Sequence, residues 1–297
     1  MNLGTVDLSN GESIFYREMG NGEETLLLIH GNMSSSKHWE PVYEKMQEKY
    51  KIFAVDLRGM GESTYHNSFN SLKELADDLA EFCQILKLNE LIVAGWSTGG
   101  GVAMEMASDY PDLVKKLILV ESVSPKGYPI FKKNEKGEVI PGQVYESKDE
   151  MAKDPVQVLP AVIAMENQDF DTMKQIWDAA IYVVNKPEEN KYREYLEETL
   201  KQRNLVDIDW ALATFNITEE HNGMVQGNGK VNQIKQPTLI FGSELDYVVP
   251  LNMVEETAKA LGGNAKVHIF KNSGHSPITD VTEELIGKIE AFVEEER

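Results

Sequence analysis

The sequence has little cysteine, little positive charge and no long apolar run. Its 297 residues include one cysteine, Cys83, so no internal disulfide can form. Cys83 lies in an amphipathic helical stretch without neighbours that would stabilise a thiolate, which favours a packed core thiol over a catalytic one. Lys and Arg number 29 against 49 Asp and Glu, a formal net charge of -20 at pH 7. Nucleic-acid phosphates and an anionic membrane surface would be repelled, so neither is expected as a partner.

The sequence predicts neither an export signal nor a membrane anchor. Residues 1–7 lack the basic start and apolar run of a signal peptide, and no stretch approaches the length of a transmembrane helix. A cytoplasmic protein is therefore expected. The histidines show no metal-ligand spacing such as His-x-His, and there is no dinucleotide fingerprint, so neither a metal nor another cofactor is expected.

What the sequence does contain is a Gly-x-Ser-x-Gly motif at Gly95-Trp96-Ser97-Thr98-Gly99. The apolar residues 91–94 before it predict a buried strand, and residues 100–107 after it predict a helix. A serine on such a sharp strand-to-helix turn has its hydroxyl lifted clear of the backbone, beside the amide of Thr98 and the positive end of the helix. This context favours a nucleophile elbow, the strand-to-helix turn that carries a catalytic serine, over a glycine-rich turn whose serine has no catalytic role.

Strand and helix patterns alternate on both sides of this motif. An Asn10-Gly11 hairpin joins two short strands near the start of the chain. Continuous apolar runs, typical of strands buried on both faces of a parallel sheet, follow at residues 25–29, 51–55, 91–94, 116–120, 237–241 and 266–270. Helical periodicity separates most of these runs, up to a closing helix predicted over Glu283–Glu296. The alternation predicts an α/β fold, a doubly wound, mostly parallel, eight-stranded sheet.

The alternation stops after the sixth strand. A Gly-, Pro- and Lys-rich loop is predicted over Ser124–Gly142, followed by helices at Asp171–Val184, Glu188–Arg203 and Ile208–Phe215. We therefore divide the chain into an α/β core, residues 1–122 and 236–297, and a helical cap, residues 123–235. The cap is expected to lie over the strand ends that bear the polar loops.

A serine hydroxyl is a poor nucleophile unless a base, usually a histidine held by a carboxylate, takes its proton. His275 is the candidate base because it follows the last strand, in Ser-Gly-His-Ser-Pro, where a doubly wound sheet gathers its site. The other histidines have structural explanations. His268 lies inside a strand, His30 is expected to hydrogen-bond neighbouring loops, and His38 and His66 lie in polar surface contexts. His221 lies in the cap and could approach a substrate, but no neighbouring residue indicates a role for it.

The acid that holds His275 is predicted at Asp246, in the loop after the preceding strand. Two other carboxylates compete for this role. Glu244 lies two residues earlier, and Glu121 ends the strand that follows the serine motif. We interpret Glu121 as a hydrogen-bonded strand end beneath the site and keep it as the alternative acid.

The negative oxygen of a tetrahedral intermediate must be met by backbone amides. One amide is expected from Thr98, directly after the serine. The other is expected from the loop after the third strand, at Asn32 or alternatively at Met33, where Gly31 permits a close approach.

Four motifs, in this order, resemble the α/β-hydrolase superfamily: His30-Gly31-Asn32, Asp56-Leu57-Arg58-Gly59-Met60-Gly61-Glu62-Ser63, the Gly-x-Ser-x-Gly motif and Ser273-Gly274-His275. The resemblance covers residues 6–120 and 237 to the C-terminus. The chain order Ser97, Asp246, His275 is the nucleophile, acid, base order of that superfamily. Within the superfamily, the chain is similar to the bacterial esterase, lactonase and haloperoxidase-like group.

The cap is expected to set specificity because it is rich in aromatic and aliphatic side chains. The predicted substrate contacts are Trp177 and Tyr182 from the cap, with Trp96 and Met33 from the core. An apolar pocket over Ser97 indicates a serine hydrolase of carboxylic esters with a hydrophobic acyl or alkyl part. A lactonase acting on acyl-homoserine or macrocyclic lactones, a perhydrolase, a carbon–carbon bond hydrolase and a small-molecule receptor stay open, because a fold does not determine function.

Overall fold

The computed structural model describes residues 1–295, and its centre is an eight-stranded sheet. Its strands are β1 (Asn2–Asp7), β2 (Ser13–Met19), β3 (Thr25–Ile29), β4 (Lys51–Val55), β5 (Leu91–Trp96), β6 (Val114–Val120), β9 (Thr238–Ser243) and β10 (Ala265–Phe270). They lie in the order β1-β2-β4-β3-β5-β6-β9-β10. β2 runs antiparallel to both β1 and β4, and all other neighbours are parallel. The predicted mostly parallel, eight-stranded sheet is confirmed.

Helices cover both faces of this sheet. They are α1 (Glu40–Met46), α2 (Leu72–Leu86), α3 (Thr98–Asp109), α9 (Leu251–Leu261), α10 (Pro277–Asp280) and α11 (Thr282–Glu294). The last of these was predicted to reach Glu296, which lies outside the described residues.

Two apolar cores lie on opposite faces of the sheet because side chains alternate along each strand. In β5, Leu91 and Val93 pack into the core beneath α2 and α3, whereas Ile92 and Ala94 pack into the core beneath α1 and α11. All six residues of β5 are buried, which explains its unbroken apolar sequence. Cys83 of α2 lies in the first of these cores, where burial raises the pKa of its thiol to about 12.

The segment between β6 and β9, called the insertion from here on (residues 123–235), is mostly helical. It contains α4 (Lys148–Met151), α5 (Leu159–Glu166), α6 (Phe170–Ala180), α7 (Glu189–Thr199) and α8 (Leu205–Thr214). The loop predicted over Ser124–Gly142 is wrong in part, because a hairpin of β7 (Phe131–Lys133) and β8 (Val139–Val144) lies there. Its turn is closed by hydrogen bonds between Asn134 and Glu138 and by Gly137 at a φ of 78°. The division into core and cap domains stays a prediction.

The carboxyl ends of the parallel strands meet at one edge of the sheet, as the doubly wound arrangement requires. The residues that follow these strands there are His30 after β3, Ser97 after β5, Glu121 after β6, Asp246 after β9 and His275 after β10. Within residues 1–295, no helix is long and apolar enough to cross a membrane. The same residues contain no group of three or more His, Cys, Asp or Glu side chains that could hold a metal ion.

Candidate active site

Ser97 occupies the sharp turn between β5 and α3. Its backbone has φ 56° and ψ −120°, a conformation that non-glycine residues rarely adopt and that costs about 1–3 kcal/mol. The turn is held by the Ser97 amide, which donates to the Val120 carbonyl at 2.9 Å. A β-carbon at Gly95 or at Gly99 would collide with backbone atoms, so the glycines on either side are a steric requirement of the turn.

His275 and Asp246 form a buried pair beside this turn. His275 Nδ1 and Asp246 Oδ2 are 2.8 Å apart, and the two residues are only 2% and 5% exposed. The amides of Val248 and Val249 donate to the other oxygen of Asp246, at 2.7 and 2.9 Å. Burial alone would raise the pKa of Asp246, but the neighbouring His275 and the Val249 amide hold it below its ordinary value. With Nδ1 committed to Asp246, Nε2 of His275 is left as the atom able to accept a proton.

Trp96 joins the histidine loop to the serine turn. Its indole Nε1 donates a 2.8 Å hydrogen bond to the backbone carbonyl of His275, and the two rings are 5.8 Å apart. Ser97 and His275 both line one cavity. The structure therefore brings Ser97, His275 and Asp246, which are far apart in sequence, into one site.

Glu121 lies beneath this site and does not contact His275 by a hydrogen bond. It is fully buried, and Ser243 Oγ donates to its Oε1 at 2.7 Å. Burial, together with the negative charge of Asp246, raises the pKa of Glu121 well above its ordinary value. Glu121 is thus a buried strand end that is hydrogen-bonded to Ser243, and its surroundings favour the protonated form. The other competitor, Glu244, is exposed.

The loop after β3 offers two candidate amides for the second oxyanion donor. The Met33 amide is already engaged, since it donates to Gln202 Oε1 at 2.8 Å and to Asn32 Oδ1 at 2.9 Å. The backbone N–H of Asn32, by contrast, donates no hydrogen bond to any atom of residues 1–295. The first amides of a helix lack intrahelical partners, so the Thr98 amide is also available. This arrangement favours Asn32 over Met33 as the partner of Thr98.

The cavity beside Ser97 and His275 has a volume of about 360 Å³ and is mostly apolar. Three of the four predicted substrate contacts line it: Trp96 and Met33 from the sheet side and Trp177 from the insertion. The insertion adds further apolar walls, among them Ile130, Ala161, Ile176, Ala180, Ile181, Leu205 and Leu212.

Tyr182, the fourth predicted contact, is not part of the cavity wall. Helix α6 ends at Ala180 rather than at the predicted Val184, and the amides of Ile181 and Tyr182 both bond to the Trp177 carbonyl at 2.9 Å. The chain turns there, and the Tyr182 ring packs behind Trp177, 5.1 Å away. Tyr182 therefore supports the wall without facing the cavity.

His38 is not at the surface, so that prediction is wrong. It is 3% exposed, and its ring packs 5.0 Å from both Trp177 and Tyr195. Ser35 caps a short 3-10 helix over residues 36–39, which turns His38 inward, and burial lowers its pKa to about 3. His30 does bind neighbouring loops, since its Nε2 accepts from the Leu57 amide at 3.0 Å.

Asp209 of α8 is a cavity residue that the sequence did not single out. Its Oδ1 accepts a 3.1 Å hydrogen bond from Asn32 Nδ2, across 177 positions of sequence. Burial, and then the charge of Asp154, raise the pKa of Asp209 to about 7. In sequence it is one of two aspartates in an otherwise apolar helical stretch, and nothing local distinguishes it from Asp207.

A serine on a strained strand-to-helix turn, with a buried His–Asp pair at the same sheet edge, is the arrangement of the α/β-hydrolase class. The chain belongs to the alpha/beta hydrolase fold family, whose model matches residues 24–280. The predicted resemblance to this superfamily is confirmed.

Relatives of known sequence match the chain to different extents. An uncharacterized protein of Mycobacterium tuberculosis is 35% identical over 107 residues, 36% of this chain and 31% of that protein, so the match spans about a third of that relative. The pimeloyl-[acyl-carrier protein] methyl ester esterase of Vibrio atlanticus is 24% identical over 290 residues, 95% of this chain and 99% of that protein. A solved esterase from Exiguobacterium antarcticum has a TM-score of 0.73 and 19% identity, covering 98% of this chain and 99% of that one. At 19% identity this structural likeness shows a shared fold alone.

Proposed function

We propose that the protein is a serine hydrolase that cleaves carboxylic esters with a hydrophobic acyl or alkyl part through an acyl-enzyme intermediate. The observation that carries this proposal is the buried 2.8 Å contact between His275 Nδ1 and Asp246 Oδ2, next to a serine held on a strained turn. A buried carboxylate fixes the imidazole orientation and stabilises the imidazolium that forms during proton transfer.

In the first half of the reaction, Ser97 Oγ attacks the ester carbonyl carbon while its proton passes to His275 Nε2. The negative oxygen of the tetrahedral intermediate accepts hydrogen bonds from the amides of Asn32 and Thr98. Collapse of the intermediate breaks the bond to the alcohol, and His275 returns the proton to the departing oxygen. Water then repeats the sequence on the acyl-enzyme and releases the carboxylic acid.

The cavity supports an apolar substrate. Ile176, Trp177, Ile181 and Leu212 of the insertion surround the space next to Ser97, and no Lys or Arg side chain of the described residues lines it. Burying apolar surface contributes roughly 25 cal/mol per Å², so an alkyl or acyl chain is the group this wall binds best. Helices α5, α6 and α8 contribute residues to this wall and act as the part of the cap that shapes the cavity. The name of the Vibrio atlanticus relative, a methyl ester esterase, agrees with ester cleavage as the reaction class.

The test combines covalent labelling with turnover. The protein is treated with a fluorophosphonate probe, the adduct is mapped by mass spectrometry, and p-nitrophenyl esters of increasing acyl length and simple lactones are assayed in parallel. We expect labelling at Ser97, ester turnover, and loss of both in Ser97→Ala, with the rate falling by about a thousandfold or more.

Other results separate the alternatives. Labelling with turnover of lactones but not of esters would replace esterase with lactonase. Labelling without turnover of either would point to a receptor or to another hydrolase chemistry. Folded Ser97→Ala that hydrolyses esters at the wild-type rate would contradict the proposal.

A further inference from the structure

The proposed reaction leaves one carboxyl group of the cavity unused. Asp209 is 7% exposed and lines the cavity beside Ser97. Its Oδ1 accepts from Asn32, whereas its Oδ2 makes no hydrogen bond to any atom of residues 1–295. This oxygen is not among the fully buried side-chain atoms that lack a partner, so it is accessible from the cavity that Asp209 lines. A molecule bound in the cavity can therefore donate a hydrogen bond to it.

The surroundings of Asp209 limit what that partner can be. No cationic side chain of the described residues lines the cavity, so a substrate carboxylate would meet Asp209 without a compensating charge. A full ammonium would lose much of its hydration against walls that are mostly apolar, and one carboxylate poorly offsets that loss. An uncharged hydrogen-bond donor has neither disadvantage. The phenol of Tyr128, whose pKa is raised by burial and by the charges of Asp246 and Asp209, is a neutral polar group of the same wall.

We propose that Asp209 forms a polar subsite that accepts a hydrogen bond from a hydroxyl group on the acyl part of the substrate. This inference rests on the proposed ester hydrolysis and names its substrate class as hydroxyacyl esters. The acyl part is favoured because Asp209 contacts Asn32 on the oxyanion loop, whereas the alcohol must leave beside His275. Asp209 acts here as a specificity residue, not as a participant in proton transfer.

The ionisation of Asp209 makes this subsite sensitive to pH. The charged group that acts on it is Asp154, which is itself paired with Lys133. Tyr128 and His275 are the other titratable side chains that line the cavity beside Ser97, apart from Tyr247. The pKa of Asp209 is raised to about 7, so the carboxyl is mainly neutral below that pH and mainly anionic above it. Hydrogen bonds to an anion are stronger than those to a neutral acid. Preference for a hydroxylated substrate should therefore increase as the pH rises through neutrality.

The experiment compares kcat/KM for p-nitrophenyl 3-hydroxybutyrate and p-nitrophenyl butyrate between pH 6 and pH 8.5. The full-length wild type is expected to prefer the hydroxylated ester roughly tenfold or more at pH 8, and less at pH 6. Asp209→Asn keeps the volume and an oxygen for Asn32, so the preference should fall severalfold and lose its pH dependence. Asp209→Leu should abolish the preference. The exposed Asp171→Asn, also in the insertion, is the matched control and should keep the wild-type ratio at every pH.

Results that overturn the subsite alone are distinguishable from one that overturns the proposed function as well. If the wild type hydrolyses both esters equally, or if Asp209→Leu keeps the preference, the subsite is absent while ester hydrolysis stands. If the wild type hydrolyses neither ester and Ser97 is not labelled, the proposed function fails and the subsite proposal fails with it.

Discussion

Gly31 lies directly against Ser97. A β-carbon at position 31 would be 2.9 Å from the Cβ of Ser97 and 3.2 Å from the Trp96 carbonyl oxygen. These distances are below van der Waals contact, and the neighbours are a strained turn and a β-strand end that cannot shift freely. The loop after β3 and the serine turn are therefore packed against each other, and their close spacing requires a residue without a side chain at position 31.

Gly31→Ala should lower kcat with little change in KM, because it separates the Asn32 amide from Ser97 without altering the apolar wall. A displacement of about 1 Å at a reacting centre reduces the rate by roughly a hundredfold. Steady-state kinetics on a p-nitrophenyl ester measures the change. Gly263→Ala is the control, since nothing lies within 4 Å of a β-carbon there. Full activity in Gly31→Ala would show that the loop moves aside.

The variants Asp246→Asn and Glu121→Gln should differ sharply in kcat. Asp246→Asn removes the carboxylate bonded to His275 and is expected to lower kcat by about 10³–10⁴-fold, as for other triads. Glu121→Gln keeps the shape of the side chain and resembles the protonated form that burial favours, so its kcat should stay within about threefold of wild type. A pH–rate profile of both variants measures this, and a greater loss in Glu121→Gln would make Glu121 the functional acid.

The raised pKa of Glu121 predicts how stability depends on pH. The folded protein holds a proton that the unfolded chain releases near pH 4.5, so the contribution of Glu121 to stability is present below that pH and is lost as the pH rises toward the folded pKa. Glu121→Gln has no proton to lose. Its free energy of unfolding relative to wild type should therefore increase from pH 5 to pH 9, as measured by urea denaturation at each pH. A constant difference would mean that Glu121 titrates normally.

Ile181 should limit the acyl length that the cavity accepts. It is 8% exposed and lines the cavity, so Ile181→Ala removes three carbons of wall. The optimum acyl chain should lengthen by about two carbons, and stability should fall by about 2 kcal/mol. Ile163→Ala is the control because Ile163 is 47% exposed and lies outside the cavity wall. An unchanged length profile in Ile181→Ala would place the acyl chain elsewhere.

Local sequence patterns were sufficient to predict the sheet and to place Ser97, Asp246 and His275 at one edge of it, as the structure has them. Apolar runs of four or five residues reveal strands buried on both faces, and the glycines around Ser97 are required by the turn itself. Asp246 and His275 each follow a strand whose position in the chain is readable. Parallel strands bring their carboxyl ends to one edge, so the order of elements implied that these residues would meet.

Only the tertiary structure decided which groups from the insertion face the site. No local signature reveals the position of Asp209, the contact of Gln202 with the Met33 amide or the turning of Tyr182 away from the cavity. The burial of His38, outside the insertion, has no local signature either. Helical periodicity shows which face of a helix is buried, but it does not say against what that face packs. Asn32 and Asp209 meet across 177 positions of sequence because the insertion folds back over the sheet edge. Such long-range contacts depend on the packing of whole elements, which no short stretch of sequence contains.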